Sequence, residues 1–168
     1  MKAAKIIVNP VCRHPRCTSA HIEGEEDERP WVAAGFATPQ GNCALAIDPF
    51  GSGEVRVQVI PNYGHVAGSI SRLAADLNHK LSCGNVAGAF SPAEAKRELQ
   101  FVLVQRFHVL EFFCSQLLHR VLDDALFAHA LALSEIERLR SKRLRGQRDS
   151  ALFDLVTQHS DSGCIALN

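Results

Sequence analysis

From Ala93 to Arg145 the chain contains neither glycine nor proline. A stretch of this kind has nothing to break an extended element, so it must supply much of the core. Leu99, Leu103, Phe107, Leu110, Cys114, Leu117 and Val121 recur at steps of three and four, which is the spacing of one helical face. Ser91-Pro92-Ala93-Glu94 reads as its start: serine as cap, proline at the first helical position, glutamate completing a capping box. One helix across the whole run would be unusually long for a domain of 168 residues. Asp123-Asp124 is the natural break, giving a helical hairpin whose second arm runs from Ala125 to about Leu144. A short last helix then starts near Ser150 and carries Leu152, Leu155 and Val156.

The first third of the chain has a different texture. Ile6 to Val8 is short and β-branched and predicts a strand stopped by Asn9-Pro10. Residues 9–30, rich in Pro, Cys, His and acids, read as an irregular loop. Trp31 to Thr38, Cys43 to Asp48 and Glu54 to Ile60 are each bounded by turn chemistry, and Val55, Val57 and Val59 alternate with Arg56 and Gln58. Past Tyr63-Gly64, helical spacing puts Ile70, Leu73, Ala74, Leu77 and Leu81 on one face, with Cys83-Gly84-Asn85 as the stop. The expected fold class is α+β: a small antiparallel β-meander of three or four strands within residues 1–62, followed by a mainly helical part in 63–168 with a long helical hairpin. Together they are expected to form one compact domain.

Lysines and arginines balance aspartates and glutamates at 18 each, which argues against nucleic-acid binding through the overall field. The charge is clumped, however. Glu23 to Glu28 holds five acids interrupted only by Gly24, and Arg138, Arg140, Lys142, Arg143, Arg145 and Arg148 follow one another without an acid. The three-residue apolar core at the start is too short for a signal peptide, and polar residues interrupt Leu99 to Leu118 too often for a membrane span. A cytoplasmic setting without membrane contact is therefore expected, with the six cysteines as thiols or metal ligands rather than a disulfide framework.

Two clusters carry candidate chemistry. Cys12, Cys17 and His21 could approach one tetrahedral zinc, with Cys43 or His65 as a further ligand, although the spacing departs from the paired ligands of structural zinc sites. Cys83, one turn after His79 and downstream of His65, is the candidate nucleophile if the protein is a cysteine-dependent enzyme. Against that, the thiol falls at the electronegative end of its helix, which disfavours a thiolate. Ser71 to Phe90 superficially suggests a helix-turn-helix, but Gly84 to Phe90 has only Asn85 to read a base edge. Gly51-Ser-Gly53 precedes a strand and reads as a hairpin turn rather than a phosphate cradle.

His108 and His119 share a helical face but lie roughly 16 Å apart along it, too far for one metal. Phe101, His108 and Phe112 instead form an aromatic stripe suited to a partner, and His129 reads as a half-buried core residue. More enzyme-like readings lack a motif, so the expectation is a small interaction or regulatory protein. It would act by surface contact with a protein partner and form a homodimer through its helical hairpin. The alternative is a nucleic-acid-binding regulator that uses the arginine-rich 138–148 segment.

Overall fold

The computed structural model describes residues 2–24, 29–50, 53–60, 63, 69–93, 98–107 and 115–161. They form α1 (Lys2–Cys12), β1 (Cys17–Glu23), β2 (Trp31–Thr38), β3 (Gly41–Phe50), β4 (Glu54–Val59), α2 (Ile70–Cys83), β5 (Ala89–Ala93), β6 (Glu98–Arg106) and α3 (Ser115–Asp161). The chain divides into two compact units, Met1–Leu133 and Ser134–Asn168. The first holds the whole sheet with α1, α2 and the first part of α3; the second holds the rest of α3.

The α+β class and the antiparallel sheet are as expected, but the sheet has six strands, in the order β1-β2-β3-β4-β6-β5. The three central strands were legible because each hairpin has its turn residues. Thr38 pairs with Gly41 around Pro39-Gln40, and Gly41 takes a φ of 117°. The Thr38 hydroxyl donates to the Gly41 carbonyl at 2.6 Å. Side chains then alternate as the pleat requires. Val32, Ala34, Phe36, Cys43, Leu45, Ile47, Val55, Val57, Val59, Leu99, Phe101 and Leu103 are buried on one face.

Three readings need correction. First, Lys2–Cys12 is a helix, not a strand ended by Asn9-Pro10: Ala4, Ile7 and Val11 fall on one buried face, and Pro10 sits inside the last turn. Second, the supposed loop contains β1, whose polar residues pair with β2 from Ser19 to Glu23 after a bulge at Cys17/Ser19. Third, Ser91 to Ala93 and Glu98 to Arg106 are strand, not helix. Leu99 and Leu103 are four apart, which suits either a helix or alternate positions of a strand. Phe101 between them decides for the strand, since all three are buried together. Pro92 fits because β5 is an edge strand.

No helical hairpin forms, because α3 continues through Asp123-Asp124. Both acids serve as anchors rather than breakers. Asp123 faces the His14 ring at 3.3 Å, and Asp124 accepts from the Ala87 N–H at 3.5 Å. Helix α2 is as expected, with Gly84 ending it and the five predicted apolar residues buried; the structure adds Ser69 as its cap, accepting from the Arg72 N–H.

Candidate functional site

The pleat that buries one sheet face leaves the other without a covering element among the described residues. Its central floor is small: Ala33 and Gly35 on β2 stand beside Ala46 and Ala44 on β3. Gln58 and Arg56 follow on β4, and Val102 and Val104 on β6, where Val104 is 56% exposed. Short side chains let a partner's backbone come close, and the surface is apolar without being deep.

One end of this floor is chemically distinct. The pairings Val32↔Ile47 and Asp48↔Arg56 place Asp48 between Trp31 and Arg56. Arg29, Trp31, Ala46, Asp48, Arg56 and Gln58 line a cavity of about 210 Å3. Asp48 Oδ1 is buried there without a hydrogen-bond partner among the described residues. An unpaired buried acceptor costs about 1–3 kcal/mol. The indole beside it offers a face on which a cation can rest. A donor-bearing side chain would satisfy both groups, while exposed Arg56 at the rim suits a neighbouring carboxylate. The sequence shows Asp48 in phase with Ala44 and Ala46, but its neighbours Trp31 and Arg56 come from cross-strand register, which spacing does not reveal.

A second cluster ties α1 to α3. His14 is buried, its Nδ1 accepts from the Arg16 N–H at 3.2 Å, and its other nitrogen therefore carries the proton toward Asp123. Its ring meets Phe36 and His119 edge-on, and His119 Nε2 donates to the Pro10 carbonyl at 2.8 Å. Burial holds the His14 pKa below its ordinary value, partly opposed by Asp123. Both imidazole nitrogens of His14 are engaged, so this His–Asp pair is a clamp rather than a free base. Beside it a cavity of about 380 Å3 is lined by Arg16, Thr38, Gln40, Asp123, Leu126 and Phe127, among others.

The predicted residues are placed as follows. Phe101 has no exposed surface and its ring packs at a tilt against Phe90 with centroids 5.1 Å apart, so it belongs to the core and cannot meet a partner. His108 and Phe112 lie outside the described residues, as does His65. Cys12 is exposed at the end of α1, Cys17 is half-buried with its thiol donating to the Ser19 carbonyl, and His21 Nε2 lies 2.8 Å from Glu23. Burial, then the neighbouring Cys12, raises the Cys17 thiol pKa, and burial pushes Cys43 up to about 12. Among the described residues no three His, Cys, Asp or Glu side chains are grouped to hold a metal ion.

Cys83 Sγ lies 3.8 Å from His79 Nε2 on the exposed last turn of α2. His129 is buried, and its Nδ1 shares a 2.9 Å hydrogen bond with the Tyr63 hydroxyl; burial lowers the one pKa and raises the other. Arg138 pairs with Glu135 in its own unit. Arg140, Lys142, Arg143 and Arg145 are exposed on α3, and the Arg148 side chain lies outside the described residues. No described helix is long and apolar enough to cross a membrane. Comparison with protein-family models, curated proteins and solved structures finds no match to this chain.

Proposed function

We propose that the protein is an interaction module that acts by surface contact with a protein partner on the sheet face opposite the helices. The observation that supports it is the buried, unpaired Asp48 Oδ1 beside Trp31, at the end of a floor of alanine and glycine. The partner is a segment whose lysine or arginine lies along the indole onto Asp48, with an acidic neighbour facing Arg56. Such a contact completes a hydrogen bond that the described residues leave open. A photo-reactive residue in place of Ala46 tests this. Protein adducts should form there, fall at least about tenfold when Asp48→Ala is added, and be absent from the same probe at exposed Arg72 on α2. Equal adducts at both positions would exclude the reading.

A second reading rests on the exposed Arg140, Lys142, Arg143 and Arg145, four cations within six residues of α3. That arm suits a phosphate backbone. Binding of a labelled oligonucleotide should then weaken steeply with salt and with the triple replacement of Arg140, Arg143 and Arg145 by alanine. Binding indifferent to both excludes nucleic acid.

A further inference from the structure

The two edges of the sheet differ in a way that identifies a second surface, independent of the open face. Hydrogen-bond phase follows from the hairpins. The two-residue turn joins Thr38 to Gly41, so the even-numbered residues of β2 face β3 and the odd-numbered ones face β1. The Ala37 N–H accordingly donates to the Arg16 carbonyl at 2.9 Å. Ser19, His21 and Glu23, opposite Gly35, Ala33 and Trp31, therefore direct their peptide groups at β2. Ala20 and Ile22 direct theirs outward, where no described residue meets them.

At the far edge the same alternation turns Phe90 and Pro92 of β5 outward. Both are neutralised. The Asn78 amide of α2 accepts from the Phe90 N–H at 2.7 Å and donates to its carbonyl at 2.9 Å. Pro92 has no N–H to offer. One edge is closed by two devices, and the other keeps its donors and acceptors in an exposed strand that lacks proline and lysine.

We infer that β1 is the seam along which two copies of this chain join antiparallel into one continuous sheet. Charge selects a second copy over an arbitrary strand. The approach to β1 is basic, with exposed Arg13 and Arg16, and its far end is acidic, with exposed Glu23. A two-fold axis across β1 brings the basic end of each copy to the acidic end of the other, so the strand is complementary to itself only in the antiparallel sense. Ile22, 38% exposed, gains cover on the helix side of the seam. The bulge at Cys17/Ser19 confines regular pairing to Ser19–Glu23, so the dimer is small and concentration-dependent.

Sedimentation equilibrium on the full chain from low micromolar to submillimolar concentration tests the seam. The mass should climb from 18.4 kDa toward twice that value. Amide exchange at Ala20 and Ile22 should slow over the same range. Ala20→Pro removes an outward donor without touching the β2 ladder and should weaken dimerisation at least about tenfold. Glu23→Arg and Arg16→Glu should each weaken it, and the double exchange should restore it. A strict monomer throughout, or a dimer insensitive to Ala20→Pro and to the charge exchanges, overturns the inference. Loss of partner adducts at Ala46 would bear on the open face alone.

Discussion

At its β5 end the sheet is sealed, and at its β1 end it is open, although both ends are antiparallel edge strands of similar length. The β5 end is closed by close packing as well as by hydrogen bonds. Gly88 adopts a φ of 98° directly over the Phe101 ring, where an added Cβ would come within 2.5 Å of Cζ. Phe90 packs at a tilt on that ring from the neighbouring strand, and Asn78 satisfies both of its peptide groups. At the β1 end the corresponding glycine, Gly35, faces only the hydroxyls of Ser19 and Thr18. The contrast teaches that edge protection here is local chemistry, added to one strand and withheld from the other.

The sharpest way to break the contrast is Gly88→Ala. It combines a strained left-handed backbone with a ring that cannot yield, and should cost about 3 kcal/mol or more in urea unfolding. Asn78→Ala should follow at about 2 kcal/mol, because the Phe90 N–H and C=O lose their partners beneath a buried side chain. Combined with Pro92→Ala it restores donors to the β5 edge, and light scattering should show concentration-dependent association that either change alone produces less. Gly35→Ala should cost only about 1 kcal/mol, since hydroxyl rotors can move aside. Equal losses for Gly88→Ala and Gly35→Ala would show that the two ends are packed alike after all.

What the sequence reveals follows the same division between local and cross-strand information. Helix α2 was legible because its apolar face and stop signal both lie within the segment. The β2–β4 hairpins were legible from their turns. Strand β1 was not: Cys17-Thr-Ser-Ala-His-Ile-Glu23 has no apolar alternation, because neither of its faces is deeply buried. Strand β6 is hidden in the sequence because a step of four satisfies two periods, and Ser91-Pro92 ahead of it has the chemistry of a helix start. Asp123-Asp124 suggested a break because neither of its tertiary partners, His14 and the Ala87 N–H, is visible along the chain. The candidate site was hidden for the same reason. Trp31, Asp48 and Arg56 are remote in sequence and become neighbours only through register.

Acid provides the last and mildest separation of the two ends. Each half of the sheet is held by one buried histidine: His14 between α1 and α3 near β1, and His129 beneath Tyr63, which bridges to Leu99 of β6. Burial lowers both pKa values from 6.5. The unfolded chain therefore takes up protons near 6.5 while the folded chain resists, so stability is full above that pH and declines as pH falls below it. At His14 the Asp123 carboxylate opposes burial and the neighbouring His119 and Arg16, whereas at His129 burial acts unopposed. Acid should thus loosen the Tyr63–Leu99 side before the β1 side, seen as earlier amide exchange in β6 than in β2. Asp123→Asn removes the opposing charge while keeping an acceptor for the imidazole N–H. It should lower the His14 pKa further and steepen the acid loss, narrowing the difference between the two ends. An unchanged pH profile in that variant would mean that the His14 clamp is held by packing against Phe36 and His119 alone.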